Sequence, residues 1–166
     1  MNDWRISRIK IHNFKGFENL DFQIPNSKAV VLGGKNGYGK TSLFDAVELV
    51  LTGNIARYQS YKVDYQDLRY RLNDIELPLV YDKKIPELQV DLYISQIDID
   101  NESRSYILTR KSLVRDMKNP VDFSVFKTLY YRNEEDDDMK ILLSEDIKKL
   151  GLFSLIEYFQ SINYIS

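Results

Sequence analysis

The chain has 166 residues, 43% of them hydrophobic, with a formal net charge of −2, one histidine and no cysteine. The length fits one domain that can bury a core, while the missing cysteines exclude disulfides and thiolate metal sites and the lone histidine excludes multi-histidine metal centres. The nearly balanced charge excludes nucleic-acid binding through bulk positive charge, although a local basic patch is compatible with it.

From the sequence we expect neither a membrane span nor a signal peptide. No run approaches the roughly 20 apolar residues that cross a bilayer. The first five residues, Met-Asn-Asp-Trp-Arg, do not resemble a signal peptide. Together with the absence of cysteine, these features predict a cytoplasmic location.

The first predicted elements are two short strands joined by a turn. From Arg5 to Asn13, apolar and polar residues alternate with the period of a half-buried strand. Leu20 to Ile24 shows the same alternation, and Pro25 ends it. Gly16 lies in the segment between the two, so we expect an antiparallel hairpin.

A buried strand, a glycine loop and a helix are predicted next. Ala29 to Leu32 is continuously apolar, which indicates a strand buried on both faces. Beyond the glycines, Asp45 and Glu48 are expected on the polar face of an amphipathic helix that ends at Gly53. The apolar face of that helix comprises Leu43, Ala46, Val47, Val50 and Leu51.

Residues 54–86 are predicted to form a mixed surface segment. Basic side chains are interleaved there with tyrosines, which is one pattern of a nucleic-acid surface. Because acidic residues share the stretch, we interpret the tyrosines as packing on the sheet. Arg57 is interpreted as a surface residue, with an approach to phosphates as the alternative. The tyrosines are Tyr58, Tyr61, Tyr65 and Tyr70.

The second half of the chain is predicted to be rich in strands and to end in helix. Leu88 to Ile94 and Ser103 to Lys111 alternate as strands do, and Phe123 to Arg132 is a further candidate. Ser144, followed by two acidic residues and an apolar pattern, is typical of a helix start. Phe153 to Phe159 continues the helical spacing.

An acidic run lies from Glu134 to Asp138. We interpret it as a solvated loop. The alternative, a metal-collecting carboxylate cluster, lacks the alternating ligand spacing of a calcium loop.

The glycines concentrate in one place, because four of the seven lie between Gly33 and Gly39. Gly34 to Thr41 reads Gly-Lys-Asn-Gly-Tyr-Gly-Lys-Thr, the spacing of a phosphate-binding loop. A dinucleotide-binding fingerprint fits less well, because Ser42 stands where it needs a third glycine or alanine. The pattern therefore predicts a nucleoside triphosphate site.

Each fixed position of the loop has a physical reason. Glycines let backbone amides approach a phosphate at the positive end of the following helix. Lys40 supplies a point charge to the β- and γ-phosphates, and the Thr41 hydroxyl suits Mg²⁺. Ser42 adds a hydroxyl near the α-phosphate.

The acidic residues that hydrolysis needs are not recognised in the sequence. Leu79-Val80-Tyr81-Asp82 is followed by Lys83 rather than an acid, and Ile141 to Leu143 is followed by Ser144. A Leu-Ser-Gly-Gly signature is also absent. We therefore assign no catalytic residue, and expect this chain alone to be inactive in hydrolysis.

Two segments, Ile9 to Phe17 and Val30 to Gly53, resemble the N-terminal part of the SMC-like ABC-type ATPases, which include SMC proteins, RecF, RecN and SbcC. The family pattern appears here as Asn13-Phe14-Lys15-Gly16-Phe17, as the loop with its characteristic Asn36, and as Leu51-Thr52-Gly53. Tyr38 departs from the family pattern, in which serine or alanine is commoner.

The resemblance implies an α/β P-loop NTPase fold, the N-terminal lobe of an ABC-type ATPase. Residues 1–53 would hold an antiparallel hairpin, a buried strand, the loop and a helix, and residues 87–132 a strand-rich lobe. Residues 144–166 would lead towards a Q-loop. The implied nucleotide-binding residues are Gly34, Asn36, Gly37, Tyr38, Gly39, Lys40, Thr41, Ser42 and, from the turn, Lys15, with Mg²⁺ on Thr41. For Lys15 the alternative is an exposed turn lysine.

The resemblance also implies a function in DNA repair, chromosome maintenance or defence against foreign DNA. ATP would lie between two heads, and the C-terminal lobe of the same ATPase would supply the catalytic acids. Further implied partners are DNA and a nuclease subunit, with no membrane. The alternatives are the ATPase head of an overcoming-lysogenisation-type nuclease, and an interaction module that binds nucleotide without hydrolysis.

Overall fold

The computed structural model describes residues 4–26, 30–35, 37, 39–58, 79–97, 103–118 and 122–162. Within these ranges lie the strands β1 (Arg5–Phe14), β2 (Phe17–Gln23), β3 (Glu87–Ile97), β4 (Ser103–Leu113), β5 (Tyr130–Asn133) and β6 (Lys140–Ile141). They form one sheet in the order β2-β1-β3-β4-β5-β6, and every neighbouring pair is antiparallel.

The helices of the described ranges are α1 (Lys40–Thr52), α2 (Ser144–Lys149) and α3 (Phe153–Ile162). The predicted helix end at Gly53 is confirmed, because this residue has a φ of 75° and donates its N–H to the Leu49 carbonyl at 2.8 Å. None of the helices described is long and apolar enough to cross a membrane.

The predicted hairpin and the next two strands are confirmed. β1 pairs with β2 so that Ile9 faces Phe22 and Ile11 faces Leu20. The third candidate is confirmed only at its end, since Phe123–Phe126 forms a 3₁₀ turn and the strand begins at Tyr130. Tyr61, Tyr65 and Tyr70, whose packing on the sheet was predicted, lie outside the described residues. The predicted approach to a Q-loop at 163–166 lies outside them as well.

The core lies between one face of the sheet and α1. Ile9, Val90 and Leu108 from the sheet are buried with Leu49 and Val50 of the helix. The indole of Trp4 donates to the Leu150 carbonyl at 2.8 Å. This bond ties the start of the first strand to the end of α2.

The prediction of a buried strand at Ala29 to Leu32 is wrong for residues 30–32. These residues lie outside every described strand, and Val31 is 91% exposed. A strand buried on both faces needs neighbouring strands and a layer on each side. No strand in the described ranges pairs with this segment, so its apolar side chains face solvent.

The expected polar face of α1 is also corrected. Asp45 and Glu48 are 2% and 6% exposed, so the helix is covered on this side as well. The cover consists of the turn after β1 and the residues that follow Gly53, which bring hydrogen-bond donors to both carboxylates. A helix pattern shows which side is apolar, but it does not show whether the other side is covered.

Candidate phosphate-binding site

The loop before α1 has a backbone that favours glycine at three positions. Gly34, Gly37 and Gly39 have φ angles of 146°, 91° and 82°, which L side chains rarely adopt. At Gly39 the space is also taken, because a β-carbon there would lie 2.5 Å from the ring of Phe17. The glycine spacing read from the sequence therefore corresponds to real conformational demands.

The loop leads directly into the positive end of α1. Gly39 is the N-cap residue, and its carbonyl accepts the N–H of Leu43 at 2.9 Å. The backbone N–H groups before Leu43 have no carbonyl partner within the helix, and N–H groups at such a helix start attract anions. An open cavity of about 540 Å³ lies here, lined by Gly16, Phe17, Gly37, Gly39, Lys40, Thr41 and Ser42.

Lys40 brings its charge to the mouth of the loop. Its ammonium donates to the Gly34 carbonyl and, at 3.0 Å, to the Lys35 carbonyl. An ammonium group has three N–H donors, so one remains for a phosphate oxygen. The loop thus carries a positive charge next to the amides that open α1.

The donors lining the cavity fit a triphosphate with its metal. Backbone amides and the Lys40 ammonium suit anionic oxygens, while Thr41 and Ser42 place hydroxyl groups in the same lining. A hydroxyl oxygen is the type of ligand that Mg²⁺ accepts. Asn36 and Tyr38, predicted to complete this set, lie outside the described residues.

The structure joins Lys15 to a carboxylate that the sequence reasoning missed. The Lys15 ammonium donates to Asp45 and, at 2.8 Å, to the Tyr58 hydroxyl. Its side chain is 8% exposed, and it meets α1 at Asp45, four residues beyond Thr41. The available signal was an acid one helical turn after the loop threonine.

Arg57 meets the same carboxylate from the other side. Its Nε donates to Asp45 at 3.0 Å, and a second guanidinium nitrogen forms an ion pair with it. The guanidinium also lies 4.9 Å from the centre of the Tyr58 ring. In this arrangement Arg57 binds a helix carboxylate, which the surface interpretation did not anticipate.

Glu48 lies one turn further along α1 and is held differently. Its carboxylate accepts the N–H of Ala56 at 2.9 Å. Burial is the largest effect, and it raises the pKa of Glu48 above its ordinary value. The hydrogen bond from the Ala56 amide lowers this pKa, while the negative charge of Asp45 raises it. Glu48 is thus a buried carboxyl whose charged form is disfavoured by the fold.

The two weak candidates for a hydrolytic acid have structural roles. The Asp82 carboxylate accepts the N–H of Lys84 at 2.8 Å, so it stabilises a turn. The run that ends at Leu143 is followed by Ser144, which begins α2. Within the described part of the chain, no set of three or more histidine, aspartate or glutamate residues could hold a metal ion.

The acidic run corresponds to the solvated loop that was expected. Residues Glu134 to Asp138 follow β5 and are all exposed. Arg132 donates to the Asp136 carbonyl at 2.9 Å, which anchors the loop to the end of the strand.

Comparison with known families agrees with the motif. A family model described as an AAA domain matches residues 8–164, which include both the turn at 13–17 and the loop at 34–41. The chain therefore belongs to this family of SMC-like AAA ATPases, and the predicted resemblance to their N-terminal part is confirmed.

One curated relative adds detail. The DNA replication and repair protein RecF of Cellvibrio japonicus (strain Ueda107) is 29% identical over 69 residues. The match covers 40% of this chain and 19% of that protein. The likeness therefore concerns a limited part of the RecF chain.

Proposed function

We propose that this chain is the ATP-binding N-terminal lobe of an SMC-like ATPase, a single half-head over residues 1–166. The observation that carries the proposal is the loop itself. Its positive-φ glycines Gly37 and Gly39, Lys40 and two hydroxyl side chains line one cavity in front of α1. Family membership supports nucleotide binding with Mg²⁺.

In this proposal different residues of the loop bind different parts of the triphosphate. Amides of the loop and of the first turn of α1 hold the phosphates, and Lys40 neutralises the β- and γ-phosphates. Mg²⁺, when bound, would neutralise further phosphate charge, and the Thr41 hydroxyl would be its protein ligand. Asn36 and Tyr38 would complete the loop, and Ser42 would face the α-phosphate. Lys15 would act beside the site rather than in it.

The proposal also assigns a partner to the exposed apolar segment. Val30, Val31 and Leu32 are exposed, although they lead directly into the phosphate loop. Apolar residues in such a row are typical of a strand that another segment covers. We assign that cover to the C-terminal lobe of the same ATPase, which would also contribute the hydrolytic acids, with a second head closing over ATP.

The proposed biological setting is DNA repair. The RecF relative is named a DNA replication and repair protein, and we extend this setting, with DNA as a partner, to the present chain. Chromosome maintenance and defence against foreign DNA remain alternatives within the same proposal. A nuclease partner and a cytoplasmic location belong to it as well.

The decisive experiment is a nucleotide titration of the full chain. A fluorescent methylanthraniloyl-ATP with Mg²⁺ should bind the wild type, and Lys40→Ala should weaken binding by about tenfold or more, because a charge-assisted bond to phosphate contributes roughly 1.5–3 kcal/mol. The matched control is Lys84→Ala, which removes the same charge from an exposed turn and should bind like the wild type.

Two results would contradict the proposal. Equal binding by the wild type and Lys40→Ala would show that the loop does not hold phosphate. Steady ATP hydrolysis by this chain alone would show that it carries its own catalytic acids and is not a half-head.

A further inference from the structure

The turn between β1 and β2 lies along the junction of the phosphate loop and α1. Its three consecutive residues each meet one residue of that junction, in the opposite chain direction. Phe17 packs on Gly39, Gly16 lies beside Ser42, and Lys15 bonds to Asp45. The first contact is close, since a β-carbon added at Gly39 would lie 2.5 Å from the Phe17 ring, whereas one added at Gly16 would lie at the ordinary van der Waals distance of 3.7 Å from the Ser42 hydroxyl oxygen.

The junction residues share one side of the helix. Gly39, Ser42 and Asp45 are spaced three apart, and residues at this spacing are neighbours on a helix surface. The turn therefore follows a stripe from the N-cap into the second turn of α1. Two of these residues, Gly39 and Ser42, line the phosphate cavity.

The backbone of Lys15 is held in an unusual conformation. Its φ is 52°, in the left-handed region that non-glycine residues rarely occupy. Its N–H donates to the Leu79 carbonyl at 3.2 Å, and its ammonium is fixed by Asp45 and Tyr58. Conformations of this kind persist where the surroundings determine them, and they concentrate at functional sites.

The Lys15–Asp45 pair is the charged contact of the three. The two side chains are 8% and 3% exposed, so solvent screens them little. Arg57, 47% exposed, meets the same carboxylate. Arg57 would still neutralise Asp45 if Lys15 were lost, whereas loss of Asp45 would leave the buried Lys15 ammonium without its carboxylate, so the contact holds the turn firmly while both partners are present.

We propose that the Lys15–Asp45 pair is a positioning device for the phosphate loop, acting through the turn of residues 15–17. The inference rests on the proposed function and assigns a role to residues beside the cavity. With the pair intact, the turn keeps the Phe17 ring on Gly39, and the amides at the start of α1 stay directed at the cavity. Without it, part of the binding energy must order the loop.

The test is a double-mutant cycle on nucleotide affinity in the full chain. Lys15→Met and Asp45→Asn should each weaken methylanthraniloyl-ATP binding by about tenfold, the usual scale for coupling through neighbouring residues. The double variant should bind about as weakly as Asp45→Asn alone, because that change already breaks the contact with Lys15, together with the one with Arg57. Lys15→Arg keeps the charge and should restore affinity.

The control is another ion pair in the same hairpin. Arg8 and Asp21 form a two-pronged pair at 2.6 and 2.5 Å on partly exposed side chains of β1 and β2. Asp21→Asn breaks this pair outside the cavity lining and should leave ATP affinity unchanged. A general loosening of the hairpin would lower affinity in this variant as well, and would overturn the positioning role.

Further outcomes separate the inference from the proposed function. Unchanged affinity in Asp45→Asn, or additive losses in the double variant, would overturn the inference even if Lys40→Ala abolishes binding. Equal binding by the wild type and Lys40→Ala would instead remove the proposed function.

If Asp45→Asn does not fold, hydrogen exchange of the wild type decides. Mg-ATP should slow exchange at residues 15–17 together with the loop. No protection of the turn would overturn the inference.

Discussion

Asp45 and Glu48 place two carboxyl groups three residues apart on the covered side of α1, and their surroundings treat them differently. Asp45 is matched by two cations, Lys15 and Arg57. Glu48 accepts one backbone N–H, and burial together with the charge of Asp45 raises its pKa. Ionisation of Glu48 therefore destabilises the folded state relative to the unfolded chain.

We expect Glu48→Gln to raise the melting temperature at pH 7 by a few degrees, a shift typical of about 1 kcal/mol in a domain of this size. Glutamine keeps the acceptor for Ala56 and removes the buried charge. Because the folded pKa is raised, the advantage is fully present above that pKa and disappears as pH falls below the ordinary value of 4.5.

Thermal unfolding of both proteins between pH 4 and pH 8 checks this prediction. The Glu135→Gln variant, which makes the same substitution at an exposed position of the acidic run, controls for a general effect of removing negative charge. A melting temperature that falls in Glu48→Gln at pH 7 would show that the ionised carboxylate stabilises the fold.

The end of α1 shows how one element is fixed by two others. Arg110 of β4 is buried, and its Nε–H donates to the Val50 carbonyl at 2.8 Å while another nitrogen donates to the Phe126 carbonyl. Burial lowers its pKa to about 10, so the guanidinium is still protonated at neutral pH. A positive charge at a helix C-terminus is favourable. The guanidinium thus joins the helix end to the sheet and to the 3₁₀ turn.

Gly53→Ala should destabilise the fold by roughly 1–2 kcal/mol, since a side chain in the left-handed region costs about this much. The φ of Gly53 is 75°, and its β-carbon would lie 3.1 Å from the Arg110 guanidinium carbon. Urea unfolding measures the loss. Gly33→Ala is the matched control, because a β-carbon there meets nothing within 4 Å. Equal stability of the two variants would contradict the assigned role of Gly53.

At the scale of the molecule, the described helices cover one face of the antiparallel sheet, and residues 30–32 before the loop lie outside this packing. Residues 30–32 take no part in the hydrophobic core formed by the described residues. The folded chain therefore presents an apolar row next to its phosphate loop. In the proposed function this row is where a C-terminal lobe attaches.

Val31→Asp should change the free energy of unfolding by less than about 0.5 kcal/mol, as surface substitutions usually do. Val50→Asp, at a fully buried position of α1, is the contrasting variant and should prevent folding. Urea denaturation followed by circular dichroism compares them. A large loss in Val31→Asp would show that the segment is buried in solution, as its sequence pattern predicts.

Most of the local structure follows from short-range patterns. The alternation in β1 to β4, the helical spacing after the loop and the stop at Gly53 concern residues a few positions apart. The predicted phosphate loop is local in the same way, because its glycines adopt positive φ angles and its lysine donates to carbonyls five and six residues away. These features could therefore be predicted without knowing what packs against them in the folded chain.

The sequence by itself determined the family, the loop positions that need glycine and the strands β1 to β4, because the patterns that reveal them involve residues close together along the chain. Only the tertiary structure decided that residues 30–32 are exposed, and that Asp45 and Glu48 are buried. It also decided that Lys15 meets Asp45 thirty positions later in the chain. Burial and ion pairing depend on what packs against a residue from elsewhere in the chain, and residue spacing carries no record of that.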